Sequence, residues 1–167
     1  GTRKPMPPQL KEQMPLIHKV LEAMNIQVVE KAGYEADDIL GTIAVECERK
    51  GMQVSLISGD RDLLQIATDS IKIRIPKTKG NKTEIEDYNT KEVIEKYNLE
   101  PKQIIDLKGL MGDASDNIPG VPGIGEKTAL SLIQRYETID NLYKKIEDGQ
   151  DDLKGKQKEA IIANKEL

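Results

Sequence analysis

Apolar residues at Leu10, Met14, Ile17, Leu21 and Met24 recur at helical spacing and predict an amphipathic helix, with Pro15 either kinking it or delaying its start. Ile26–Glu30 (IQVVE) then predicts a strand. A second helical stripe runs through Ala36, Ile39, Leu40, Ile43, Ala44 and Cys47, and Gly51 closes it. Gln53–Ile57 (QVSLI) predicts a second strand, followed at once by SGDRD and a short helical DLLQIA. Ile71–Ile75 alternates like a third strand, and with TEIED it predicts a hairpin across the turn PKTKGNKT, whose lysines are read as a solvated loop. From Thr90 onward the pattern is helical: TKEVIEKYN, then PKQIIDLKGLMG with Pro101 in its first turn, then EKTALSLIQRY, TIDNLYKKIE and a charged terminal helix. Strands alternating with helices and then giving way to them predict an α/β parallel-sheet core over residues 1–89, followed by a helical region over 90–167.

Composition narrows the function classes. With 167 residues, 37% of them hydrophobic and 32% charged, the chain suits one good-sized globular domain, or a domain with a small helical annex. The net charge of −4 provides no global positive field, so any contact with nucleic acid is local or bridged by metal. Trp and Phe are absent, which argues against single-strand binding on rows of stacked aromatics. The single Cys47, expected to be a buried structural thiol, excludes an internal disulfide framework and fits a reducing cytoplasm. No apolar run approaches the ~18 residues needed to span a bilayer, and the opening GTRKPMPPQ lacks the apolar segment of a secretory signal.

Three acidic clusters stand out: Glu35, Asp37 and Asp38 in GYEADD; Asp60 and Asp62 in SGDRD; Asp113 and Asp116 in GDASDN. Each has a plain structural explanation, since acids complement a helix N-terminus and Asp caps helices and turns. Their order along the chain adds a functional one. The first two clusters follow predicted strands, and in an open parallel sheet the carboxyl ends of strands face one crevice. Five carboxylates aimed into one pocket repel each other unless cations neutralise them. Hard oxygen donors without a His or Cys cluster select Mg²⁺ or Mn²⁺ over zinc. The lone His18 lies away from these motifs and is read as an ordinary residue.

The loop PGVPGIGEKTA opens a helix. It is not a P-loop, because Glu126 intrudes before Lys127 and Thr128 and no strand precedes it; nor does its GxxGxG order match the dinucleotide fingerprint. A connector between two helices fits better. Of its three glycines, Gly123 and Gly125 permit a tight turn and close approach by another backbone. The new helix offers free N–H groups to a phosphate, with Lys127 adding positive charge. Such a grip positions nucleic acid without reading its sequence.

Taken together, GTR, GYEADD, SGDRDLLQ and GLMGDASDNIPGVPGIGEKTA resemble the 5′-nuclease family: the 5′-3′ exonuclease domain of bacterial DNA polymerase I, phage 5′-exonucleases and flap endonucleases. The resemblance covers essentially the whole chain in order. It implies a PIN-like parallel-sheet core followed by a helix-hairpin-helix region, and a two-metal hydrolysis of DNA phosphodiester bonds at 5′ ends, nicks or flaps. Glu35, Asp37 and Asp38 would belong to the first Mg²⁺ or Mn²⁺ site; Asp60, Asp62, Asp113 and Asp116 would belong to the second. Gly120, Gly123, Gly125, Lys127 and Thr128 would form the DNA-gripping hairpin, with K⁺ at its carbonyls. Arg3 would contact phosphate near the scissile bond. Sequence-independent binding to DNA, no membrane partner, a linked polymerase domain in the parent protein and a cytoplasmic, nucleoid-associated location are also implied. Family members begin with a strand bearing a metal-binding Asp, then an arch, and this chain begins after both. A module that only binds DNA is therefore the main alternative to a nuclease, with a small metal-dependent RNase or a phosphatase behind it.

Overall fold

A computed structural model describes residues 5–80 and 82–165, so Arg3 lies outside the described residues. The chain forms two compact units, divided between Leu40 and Gly41.

In the first unit, α1 spans Pro8–Ala23. A proline in its first turn costs nothing, because the N–H it lacks has no helical acceptor there. The helix runs through Pro15 rather than starting after it. None of its residues is buried: Leu10 is 44% exposed, Leu16 58% and Val20 56%. Ile26–Glu30 forms no strand, contrary to its pattern, and Ile26, Val28 and Val29 are exposed. A strand persists through a ladder with a neighbour, and the described residues of the first unit contain no second strand to provide one. The first acidic cluster thus follows an irregular segment, not a strand end.

Helix α2 spans Ala36–Arg49. It closes on Gly51 at φ +75°, a left-handed position suited to glycine. Ala44 is fully buried, while Cys47 is only half-buried.

The second unit contains a three-stranded mixed sheet. β1 (Val54–Ile57) pairs in parallel with β2 (Ile71–Lys79), and β3 (Lys82–Tyr88) returns antiparallel to β2. The alternation in IKIRI sends Ile71, Ile73 and Ile75 into the core, at 1%, 0% and 3% exposure, and sets the register Ile75↔Glu86. A 3₁₀ turn, Asp62–Ile66, links β1 to β2 and buries Leu63 and Leu64. Before β2, the Thr68 hydroxyl accepts from the Ser70 and Ile71 N–H groups and donates to Glu48 at 2.5 Å.

The rest is helical: α3 (Thr90–Tyr97), α4 (Gln103–Met111), α5 (Glu126–Tyr136), α6 (Ile139–Glu147) and α7 (Gly155–Ala163). The caps are legible in the residues. Glu92 accepts from the Asn89 N–H at 2.9 Å at the start of α3, and Thr138 accepts from Asn141 at 3.1 Å at the start of α6. Polar side chains also tie helix to helix: Asp106 of α4 accepts from the Ile139 N–H at 2.9 Å, and Gln134 of α5 donates to the Tyr97 carbonyl at 2.9 Å. Leu107 and Leu110 of α4 join Leu132, Ile133, Leu142 and Ile161 in this core, and α4 also packs on the 3₁₀ turn. No helix among the described residues is long and apolar enough to cross a membrane.

Leu132 is fully buried and Leu10 is not. Leu132→Ala should therefore cost about 2–5 kcal/mol in urea unfolding of the chain, while Leu10→Ala should change stability by about 0.5 kcal/mol or less. Equal effects would contradict this division between core and surface.

Candidate metal centre

β1 ends at Ile57, and the chain turns through SGDRD. The Ser58 N–H donates to the Arg74 carbonyl at 3.1 Å, which anchors the turn to β2. The Ser58 hydroxyl then accepts from the Asp60 N–H at 3.1 Å, and the Asp60 carboxylate accepts from the Asp62 N–H at 2.9 Å. Asp60 thus acts as a local turn cap, fixing the backbone on which Asp62 is mounted.

A second turn reaches the same place from α4. Gly112 ends that helix at φ +74°. Asp113 and Ile118 exchange both backbone hydrogen bonds at 2.9 Å, which closes the DASDN turn, with Asn117 at φ 59° inside it. The Ser115 N–H and hydroxyl donate to Asp113 Oδ1 at 2.8 and 2.5 Å.

The two turns bring Asp62, Asp113 and Asp116 together, with one carboxylate oxygen from each lying within 4.8 Å of the others. Lys108, in the last turn of α4, places its Nζ 2.9 Å from Asp62 and in a hydrogen bond with Asp113. The Lys108 ammonium, then the Ser115 hydroxyl and N–H, hold the Asp113 carboxyl well below the usual carboxylate range. Partial burial works against the charge on Lys108, but its bonds to Asp113 and Asp62 prevail and raise its pKa. This donor set fits a metal: three hard oxygens converge, and a cation already stands against two of them.

The expected site residues fare unevenly. Asp62, Asp113 and Asp116 converge; Asp60 supports that cluster as a cap and is not one of its three members. Glu35, Asp37 and Asp38 lie in the first unit at the start of α2. There the Asp38 carboxylate accepts from the Glu35 N–H at 3.0 Å, the back-reaching half of a capping box, and Asp37 accepts from the Asp38 N–H at 2.9 Å. Lys108 carries little functional signal in the sequence, because a lysine in a last helical turn reads as a partner for the helix dipole. The hint was its position in KGLMGD, just ahead of the acidic turn.

The loop glycines divide by role. Gly120 lies against the end of α4: an added Cβ would meet Met111 C at 2.2 Å and Gly112 N at 2.3 Å. Gly123 has φ +82°. Gly125, the N-cap of α5, has open space where a Cβ would stand, and no side chain caps the helix there. Lys127 is exposed beside it, and the Thr128 N–H donates to the Gly125 carbonyl at 3.0 Å. Buried Val121 and Ile124 pin the loop to the core, and the Val121 N–H donates to the Leu110 carbonyl at 2.8 Å.

Gly120→Ala should force apart two backbones at the DASDN turn and cost about 1–3 kcal/mol or more, whereas Gly125→Ala should stay within about 0.5 kcal/mol. Thermal unfolding of the two variants checks the contrast; equal losses would contradict the assignment of Gly120 as the closely packed glycine.

Residues 1–98 match the family model described as 5′-3′ exonuclease, N-terminal resolvase-like domain, and residues 99–167 match 5′-3′ exonuclease, C-terminal SAM fold. DNA polymerase I of Bacillus caldotenax is 49% identical over 168 residues, covering 100% of this chain and 18% of that protein. A 5′-3′ exonuclease of Buchnera aphidicola subsp. Schizaphis graminum is 43% identical over 147 residues, covering 88% of this chain and 49% of that protein. Among solved structures, a bacteriophage flap endonuclease in a pseudo-enzyme-product complex with DNA and metal ions aligns with a TM-score of 0.74 and 27% identity, covering 99% of this chain and 59% of that one. The chain thus spans less than a fifth of the polymerase it matches and about half of the stand-alone exonuclease.

Proposed function

Because this chain belongs to the 5′-3′ exonuclease family, we propose that it carries the metal-binding and DNA-gripping parts of a 5′-nuclease that hydrolyses phosphodiester bonds at duplex 5′ ends, nicks or 5′ flaps. The observation that carries the reading is the convergence of Asp62, Asp113 and Asp116 from two separate turns onto one point. The Lys108 ammonium stands against two of these acids, but its single positive charge does not neutralise three carboxylates, which leaves the point suited to a divalent cation. The phage flap endonuclease that this fold resembles was solved with both DNA and metal ions.

In this reading residues 1–89 form the nuclease core and 90–167 the helical DNA-binding region, which also lends Asp113 and Asp116 to the site. Asp62, Asp113 and Asp116 hold one Mg²⁺ or Mn²⁺, with Asp60 fixing the turn beneath Asp62. Glu35, Asp37 and Asp38 serve a second ion. Two such ions supply an activated water and stabilise the leaving oxygen when bound. Across the loop, the uncapped N-terminus of α5 and Lys127 meet a backbone phosphate, while Gly125 leaves room for that strand to approach. Thr128 and Gly123 shape the same turn, and K⁺ sits at the hairpin. The grip reads phosphate and not bases, so it is independent of sequence. Within a longer polymerase or as a stand-alone exonuclease, such a protein works in the bacterial cytoplasm, at the nucleoid.

In a full-length 5′-nuclease carrying this sequence, with Mg²⁺ and a labelled 5′-flap substrate, Asp113→Asn should lower cleavage by more than about a hundredfold yet leave duplex affinity within about tenfold. Undiminished cleavage would overturn the metal assignment. Binding without cutting by the unaltered protein would leave a DNA-binding module instead.

A further inference from the structure

Lys108 is a charged group at the metal centre that the proposed hydrolysis does not use. Its Nζ lies 2.9 Å from Asp62 and also bonds to Asp113, so one ammonium bridges two members of the triad. The acids come from different turns, after β1 and after α4, and nothing in the backbone ties Asp62 to Asp113 directly. The bridge is partly shielded: the side chains of Lys108, Asp62 and Asp113 are 28%, 29% and 12% exposed. It is therefore screened less by salt than a surface pair would be. Lys108 is also well held, since it rides on a helix whose neighbours Leu107 and Leu110 are buried.

Resting on the metal reading above, we infer that Lys108 is a resident counter-cation that holds the triad closed without metal and must leave when a divalent ion enters. An ammonium donates hydrogen bonds to carboxylate oxygens but has no lone pair for a metal. It therefore competes with the ion for the same carboxylates and cannot join it as a ligand. Metal entry exchanges one positive charge for two at the acids, and the displaced ammonium is repelled by the incoming ion. Lys108 thus lowers the intrinsic affinity for metal while keeping the site assembled in its absence. It is a positioning residue, not a catalytic one.

The test uses the 167-residue chain with Mn²⁺ alone, followed by isothermal titration and thermal unfolding. Lys108→Met keeps the aliphatic stem and removes the charge. It should tighten Mn²⁺ binding by about tenfold or more, lower the unfolding temperature without metal, and enlarge the rise that Mn²⁺ produces. Affinity that is unchanged or weaker in Lys108→Met overturns the inference. A second readout needs no variant: acetylation of Lys108 in the unaltered chain, followed by peptide mass spectrometry, should accelerate when Mn²⁺ saturates the site, and an unaltered rate again overturns it. Asp116→Asn separates the two layers. If it weakens Mn²⁺ binding while Lys108→Met fails to strengthen it, the metal reading stands and the role of Lys108 falls. If it leaves Mn²⁺ binding unchanged, the metal reading falls and takes this inference with it.

Discussion

Like charges held close together need a compensating charge, and this constraint organises the second unit. Asp62 and Asp113 are set by turns whose backbone hydrogen bonds leave them little freedom to retreat. Asp60 caps one turn, and Ser115 and the Asp113–Ile118 bridge close the other. With Asp116 alongside, they make a point of concentrated negative charge, onto which an ammonium has been drawn from the last turn of α4. The lowered pKa of Asp113 and the raised pKa of Lys108 are two views of that attraction.

Packing provides the frame for this electrostatics. α4, which buries Leu107 and Leu110, packs on the 3₁₀ turn and continues into the DASDN turn, so the same helix sets Lys108 and Asp113. The glycine loop comes back onto the end of α4 so closely that Gly120 leaves no room for a Cβ. Five residues later, Gly125 faces open space at an uncapped helix start. One loop therefore combines two geometries: Gly120 packs against the base of the acidic turn, and Gly125 leaves the start of α5 uncapped.

Much of this was legible in the residues, because local patterns and local structure agree for most of the chain. The isoleucine alternation of β2 and the stripes of α2 and α5 follow their periodicity, whereas the stretch PKTKGNKT, expected as a solvated loop, is mostly strand, with residues 76–79 in β2 and Lys82 and Thr83 in β3. Gly51 and Thr138 mark helix ends as their chemistry dictates. Ile26–Glu30 has an equally good strand pattern and forms none, since a strand needs a partner that its own residues do not specify. The acidic triad was only half visible. Each acid looked like a cap, and Asp60 and Asp38 indeed cap, while the meeting of Asp62 with Asp113 depends on α4 packing against the 3₁₀ turn. Lys108 was only faintly legible: its place in KGLMGD points to the following acids, but nothing near it in sequence indicates that the end of α4 meets the end of β1.

The most direct measurement is anomalous diffraction from crystals of the chain soaked in Mn²⁺. If the triad is a metal site, a peak should appear within about 2.0–2.6 Å of carboxylate oxygens of Asp62, Asp113 and Asp116, with the Lys108 ammonium moved away from them. Saturating Mn²⁺ with no density at that point, and Lys108 still bonded to both acids, would contradict a cation-centred site.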